Sequence, residues 1–476
     1  MVFSFSLRGG DPGVPAAVFL LSLLLFSGGC VAPREREEAP VEIPEAFGSP
    51  GGEAARDSRW WSAFGDPQLD RWVALALGGN PTLAGAWERL RAARAVADRA
   101  GAALSPEIDG FFEGETTDPG GAGGDSLRLG LAAAYEVDLW GGIEAAADAE
   151  RLRAEASLFD YRAAAISLAA EVTTTWFRLL ESRGQEEILR GQIASNEDVL
   201  ELLEVRLGTG QVGAADVLRQ EQLLESTREE LLAVESRTAV LDHQMAVLLG
   251  RTPQRGIDYR AVGLPSPGSA PETGVPAGLV RRRPDVRAAF ERLRAADREV
   301  AAAVSERYPR LTVSGSVATG GEEVGDLFTE WIRTLAGGLV APLLDGGARA
   351  AEVRRTEAVA ATRLFEYARA ILGSLREVED ALAREAFQRR RIASLRRQRS
   401  LAEETLKRLR MEFFNGVGDY IDVLVAQTEE KRVQRELLRE RRVLLEFRVA
   451  LYRALAGTIP TGRENPGSGD ERNDHG

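Results

Sequence analysis

The chain holds one cysteine, Cys30, and two histidines, His243 and His475, in 476 residues. That scarcity excludes a disulfide framework and a zinc site built of thiolates or imidazoles within one chain. Positive charge is short as well. The formal net charge is −13, which argues against nucleic acid as a partner. No nucleophile elbow, P-loop or metal-ligand spacing occurs, and His243 lies in a helical run with no catalytic group near it in sequence. There is accordingly no residue to name for catalysis, for a resident metal or for a cofactor. Long apolar runs are missing too: Val18 to Phe26, after Arg8, is too short to span a bilayer and has the length of a secretory h-region.

That run ends Ser27-Gly28-Gly29-Cys30, which resembles the cleavage box of bacterial lipoproteins. Residues 1–29 are then a signal peptide, and Cys30 is the acylated first residue of the mature protein. A lone thiol sent to an oxidising compartment would otherwise need a partner. Residues 30–57, mostly Pro, Glu, Gly and Arg, read as an extended lipidated tether.

What is present in abundance is repetition. Gly210-Gln-Val-Gly-Ala-Ala-Asp216-Val-Leu218 and Gly416-Val-Gly-Asp-Tyr-Ile-Asp422-Val-Leu424 keep Gly, Asp, Val and Leu in register, about 206 positions apart. Pro81 with Glu88-Arg-Leu-Arg-Ala-Ala93 answers Pro284 with Glu291-Arg-Leu-Arg-Ala-Ala296, and Trp140-Gly-Gly142 answers Asp345-Gly-Gly347. Matching helices follow from composition alone, but shared Pro and Gly-Gly punctuation does not. The first copy spans residues 58–262, with helices, a strand pair at about 107–139 and a helical hairpin at about 143–250. The second spans 263–457, with a helix, a strand pair at about 310–344 and a hairpin at about 347–457; residues 458–476 read as a disordered tail.

After Pro106 the apolar period changes from 3.6 to 2. Every odd position from Leu127 to Leu139 is apolar, while the even set includes Ser126, Arg128, Glu136 and Asp138. In the second copy Leu311, Val313 and Val317 alternate with Thr312, Ser314 and Ser316. Such strands suit a membrane barrel, but a barrel closed by one chain needs at least about eight of them. Four strands leave two solutions: a small soluble sheet, or several copies pooled into one closed barrel. From Ile143 to about Leu207 no proline intervenes, which at 1.5 Å per residue gives about 95 Å of helix. Helices of that length pack side by side as an extended coiled-coil-like bundle. The expected class is mixed α and β, mostly α.

Trp60-Trp61…Phe64-Gly-Asp-Pro67, Asn80-Pro-Thr-Leu83, Tyr135-Glu-Val-Asp-Leu-Trp-Gly141, Ala246-Val-Leu-Leu-Gly250, Arg282-Arg-Pro-Asp-Val286 and Tyr308-Pro-Arg-Leu311 occur in one order along the chain. This ordered set resembles the TolC-like outer-membrane factors, in particular the lipoprotein branch serving resistance-nodulation-division efflux pumps. The resemblance implies a homotrimer whose four strands per chain form a twelve-stranded transmembrane β-barrel. It also implies that the antiparallel hairpins form an α-barrel, a periplasmic tunnel whose tip meets a membrane-fusion adaptor and an inner-membrane pump. It implies a lipid-anchored outer-membrane conduit that exports small molecules, not an enzyme. An outlet for type I protein secretion and a pore-free coiled-coil lipoprotein scaffold are the alternatives.

The candidate site lies in the two hairpin turns. Gly208, Gly210, Gly213, Gly416 and Gly418 either just close the hairpins or leave room for an adaptor to approach. Asp216 and Asp422 hold matching places after the turns, and Asp419 is placed to cap the last helix. In a trimer each carboxylate would form a ring of like charge at the tunnel mouth, with Arg206 and Arg410 placed to pair with them. Members of the family often carry Asp just before Ala-Gln in the last hairpin. Here Val425 stands in its place, so no gating carboxylate carries over to that position.

Overall fold

The computed structural model describes residues 39–48, 59–115, 126–260 and 263–455, together with Ile459, Thr461 and Arg463. The signal peptide and Cys30 lie outside the described residues. A short 3-10 turn, Trp60–Phe64, precedes α1 (Pro67–Gly79), α2 (Pro81–Ala102), β1 (Glu107–Glu115), β2 (Ser126–Val137), α3 (Gly142–Gly208) and α4 (Ala214–Leu248). After a connection come α5 (Pro276–Arg282), α6 (Pro284–Ser305), β3 (Arg310–Gly321), β4 (Trp331–Val340), α7 (Ala348–Phe414) and α8 (Tyr420–Leu455). The chain is thus mostly helical with one antiparallel sheet. The helices α3 and α7 have 67 residues each, about 100 Å of unbroken helix apiece. Gly184 does not break α3; a side chain there would meet Leu438 Cδ2 at 2.9 Å, so its absence lets α8 approach.

The contacts divide the chain into two units. The first contains the sheet and the helix segments that enter and leave it. The strands pair in chain order, β1-β2-β3-β4, so β1 and β4 are its edges. The second strand of each pair, β2 and β4, passes into a long helix through a glycine corner closed by a carboxylate. Asp138 accepts from the Glu144 N–H at 2.8 Å, with Gly141 at φ 71°. Asp345 accepts from the Gly347 N–H at 2.9 Å and the Arg349 N–H at 3.1 Å, with Gly346 and Gly347 both at positive φ. Trp140 donates from Nε1 to the Pro309 carbonyl and stacks on Tyr308, which fixes the neighbouring entry to β3. The repeated Gly-Gly punctuation is therefore a pair of strand-to-helix corners.

The second unit holds the hairpin ends and a core around Trp60, Trp61, Phe64, Trp72 and Trp176. Its keystone is Asp66. One carboxylate oxygen caps α1 by accepting from the Gln68 and Leu69 N–H groups, and the other accepts from Trp176 Nε1 at 2.7 Å. Gly65 at φ 66° and Pro67 at the first helical position separate the 3-10 turn from α1. Asn80 repeats the capping role for α2, accepting from the Leu83 N–H and donating to the Leu248 carbonyl. Arg283, between α5 and α6, grips Asp285 through two bonds and reaches Glu377 and the Ala454 carbonyl. Burial works against the Asp285 carboxylate, yet the Arg283 guanidinium holds its pKa below the ordinary value. Arg448, fully buried, is bidentate to Glu385 and donates to the Pro267 and Ser269 carbonyls, tying down the connection before α5.

Several expectations are corrected here. The tether is not free throughout residues 30–57: Phe47 is buried, and the Gly48 N–H donates to Glu379 Oε1 at 2.8 Å. Nor is the tail disordered from its start, because Ile459 is buried in the tryptophan core and Thr461 is buried as well. An isolated apolar side chain in polar company carries no period, so the sequence pattern missed both. Helix α5 was hidden for the same reason: Pro276-Ala-Gly-Leu-Val is too short to show a helical repeat. His243 lies exposed on α4.

Candidate functional site

The sheet presents two chemically different faces. Residues paired across the strands share a face, so the register sorts them without ambiguity. One face carries the rows Phe112, Leu129, Thr319 and Trp331; Gly110, Leu131, Val317 and Arg333; Ile108, Ala133, Gly315 and Leu335; and Val137, Leu311 and Leu339. The opposite face carries Glu113 with Arg128, then Asp109, Ala132, Ser316 and Thr334, then Glu136 with Thr312. Glu113 and Arg128 form an ion pair at 3.7 Å there. Ile108, Phe112, Leu131 and Leu335 are between 59% and 72% exposed in a single chain. Soluble sheets do not leave such a face open without a cover. The row Phe111, Gly130, Ala318 and Ile332 is the apolar exception on the polar face: the Phe111 ring covers Gly130, while Ile332 is exposed.

Both hairpin turns end their first helix in the same way. In the first, the Gly210 N–H reaches the Leu207 carbonyl and the Gln211 N–H the Arg206 carbonyl; in the second, Gly416 reaches Phe413 and Val417 reaches Glu412. These are two Schellman caps, and each has its glycine at φ 75°. Positive φ explains Gly210 and Gly416 only. Gly208 ends α3 in ordinary helical backbone, Gly213 sits at φ −90° before α4, and a side chain at Gly418 would crowd Glu412 and Phe413.

The charges near the turns are arranged differently from the sequence expectation. Asp216 accepts from the Gly213 N–H at 3.2 Å as half of a capping box and pairs with Arg219 at 3.0 Å. Arg206 does not pair with it; its guanidinium lies 4.6 Å over the Phe413 ring and 5.4 Å over Phe414. Arg410 donates to Gln427 Oε1 instead. The reason is reach: Arg206 ends α3 against the phenylalanines of the other hairpin, Arg410 is taken up by Gln427 on α8 of its own hairpin, and the carboxylates begin the following helices. Asp419 is exposed directly before α8, and Asp422 is exposed in the first turn of α8 without an ion pair among the described residues.

Sequence reasoning missed what joins the two hairpin ends. Tyr420 donates to Gln220 Oε1 at 2.5 Å, Gln220 donates to the Asn196 carbonyl, and Gln427 donates to Asn196 Oδ1 at 2.6 Å. Thr227 accepts from the Asn196 amide, which completes the group. Burial, reinforced by the Asp216 charge, holds the Tyr420 hydroxyl well above the ordinary phenol range, so it remains a donor. Around this network Leu203, Val217, Leu406, Phe413 and Val423 form one apolar cluster drawn from all four long helices. Polar residues on a coiled-coil face read as solvated in sequence; the one available signal was Ala426-Gln427, where a glutamine falls among apolar positions.

Among the described residues no helix is long and apolar enough to cross a membrane. A family model described as "Outer membrane efflux protein" matches residues 72–251 and again residues 276–457. The chain is 29% identical to the "Pyoverdine export outer membrane protein OpmQ" of Pseudomonas aeruginosa, over 94% of this chain and 97% of that protein. It is also 29% identical to the "Outer membrane protein OprJ" of the same organism, over 95% and 97%. Among solved structures, the outer-membrane channel OprN superposes with a TM-score of 0.83 at 26% identity, over 89% of this chain and 98% of that one.

Proposed function

The chain belongs to the outer membrane efflux protein family, and from that premise we propose that three copies pool their sheets into one closed, twelve-stranded barrel. The protein is an outer-membrane channel that extends into the periplasm, the exit duct of a tripartite efflux system. The sheet carries the oligomeric reading: it is apolar on one face and polar on the other, with the edges β1 and β4 unpaired in one chain. Open edges cannot sit in hydrocarbon, and four strands cannot close on themselves, so edge must meet edge between copies. The face with Leu131 and Leu335 then meets lipid, and the face with Glu113 and Arg128 lines the lumen.

The two halves of the chain are read as a duplicated unit, each supplying a strand pair and a hairpin. The hairpins continue the barrel as an α-helical tunnel in the periplasm, and Cys30 carries the lipid anchor. The turns at Gly210 and Gly416 dock a membrane-fusion adaptor that connects the duct to an inner-membrane pump. Gly208, Gly213 and Gly418 keep the surrounding surface low. The exported compounds are small molecules.

Asp422 is the carboxylate assigned to the tunnel mouth, because Asp216 is engaged by its cap and Arg219 and Asp419 is placed to cap the last helix. Threefold symmetry repeats Asp422 around the axis. The isolated channel is therefore expected to conduct weakly and to prefer cations. Asp422→Lys is expected to lower or reverse that preference, read as a shift in reversal potential across a KCl gradient in planar bilayers, with the yield of assembled channel unchanged. A variant that conducts with wild-type preference would confine Asp422 to the helix end and place the narrowest point elsewhere.

A further inference from the structure

Arg333 breaks the pattern of the face on which it stands. On the side of the sheet shared by Leu131 and Leu335, every other position of the four described strands is apolar, aromatic, glycine or threonine. Arg333 is exposed there, and among the described residues it makes no ion pair. Closing the barrel does not supply one. Strand β4 must pair with β1 of the next copy, and whatever register that closure takes, the two apolar faces must match. The residues of β1 on that face are Ile108, Gly110, Phe112 and Gly114, so no strand brings a carboxylate to this side. The turn before β4 holds Glu322, Glu323 and Glu330, all exposed and none of them paired with Arg333.

Depth explains how the charge is tolerated. The cost of an arginine facing lipid falls steeply from the bilayer centre towards the interface. Arg333 lies two residues, about 7 Å along the strand, from the end of β4 that is away from the long helices. Leu131, paired in the same row, lies five residues inside β2, and tilted barrel strands place residues of one row at different depths. Trp331 opens β4 with an amphipathic ring of the kind that sits at headgroup level. The ring of Phe328 lies 6.2 Å from it. Phe328 is held there against its backbone preference: at φ 83° it is the only non-glycine residue with positive φ among those described, and its N–H donates to Thr319 Oγ1 at 3.1 Å.

We propose that Arg333, together with Trp331 and Phe328, binds the phosphate-bearing headgroup of a lipid in the outer leaflet, one site per copy. The long side chain keeps its methylenes on the apolar face and carries the guanidinium to the headgroup level. There the planar fork meets phosphate oxygens through two N–H groups at once, and the lipid supplies the negative charge that the protein withholds. The two rings pack against the apolar part of the same lipid. This rests on the reading above that the face with Leu131 meets lipid.

The test counts bound lipid. Assembled channel in a non-ionic detergent is titrated with lipid A that carries its phosphates, or with the dephosphorylated form, and the retained lipid is read by native mass spectrometry. The wild type is expected to hold about one phosphorylated lipid per chain and to bind the dephosphorylated form more weakly. Arg333→Gln is expected to weaken binding of phosphorylated lipid A about tenfold, with binding of the dephosphorylated form unchanged. Arg333→Lys, which keeps the charge but not the fork, recovers part of the loss. Three-chain particles of each variant in the same spectra show that it has folded. Wild-type binding of phosphorylated lipid A by Arg333→Gln would overturn the proposal. So would an equal loss for both lipids, which would assign the site to acyl-chain packing, or displacement of lipid A by millimolar inorganic phosphate, which would make it a site for the free anion. A wild-type protein that forms no three-chain particles would overturn the channel reading and the lipid site with it, whereas the other outcomes overturn the site alone.

Discussion

Leu131→Arg is expected to remove nearly all of the protein from the outer membrane, whereas Ser316→Arg, a short distance away in the same sheet, is expected to leave most of it there. Leu131 lies in the middle of β2, opposite Gly110 and Val317, on the face shared with Leu335 and Phe112. In one chain its side chain is 59% exposed. An arginine on the lipid face of a barrel costs about 2–4 kcal/mol near the bilayer midplane, and assembly of three copies multiplies that cost by three. Ser316 pairs with Ala132 and Thr334 on the opposite face, where water and polar groups accept a guanidinium. Immunoblots of outer-membrane fractions separate the outcomes. Equal amounts of the two variants would mean that the face with Leu131 is covered by protein, and the sheet would then be a small soluble one.

Gly213→Trp is expected to reduce ethidium export on the order of tenfold, equivalent to about 1.4 kcal/mol of lost docking, while leaving the amount of assembled channel unchanged. The position separates folding from docking better than its neighbours do. Its backbone, at φ −90° and ψ 155°, suits any residue, and a Cβ there would meet Asp216 Oδ2 at 3.8 Å. The backbone and the first side-chain atom are therefore accommodated, and the indole adds bulk at the turn where an adaptor is proposed to dock. Gly210→Trp is a poorer probe, because its φ of 75° adds about 1–2 kcal/mol of backbone strain and mixes a folding defect with a docking defect. Wild-type export by Gly213→Trp would return the glycines to hairpin closure alone.

Much of this architecture is legible in the sequence because it is written in backbone punctuation and in period. The alternation from Leu127 to Leu139 reports which side of the sheet is apolar, and the register places Leu129, Leu131 and Tyr135 on one face as the alternation requires. The Gly-Gly pairs and the two turns are visible because positive φ at Gly141, Gly210, Gly346, Gly347 and Gly416 restricts the residue type. The junction of the hairpins is not legible in the same way. Asn196, Gln220 and Gln427 are buried polar residues whose partners lie on other helices, at separations of 24 to 231 residues, and no local period encodes such contacts. Arg206 misleads for a related reason. Its distance in sequence from Asp216 suits an ion pair, but the helix end turns it onto two phenylalanines. Arg448 is another case: in a chain rich in surface Arg–Glu pairs, nothing local marks the one fully buried against Glu385.

The claim on which the rest depends is that one chain supplies only part of a membrane barrel, and native mass spectrometry of the protein released in detergent from outer membranes tests it most directly. The account predicts particles of three chains, each lacking residues 1–29 and carrying acyl mass on Cys30. A monomer that leaves the membrane once its lipid is removed would contradict it.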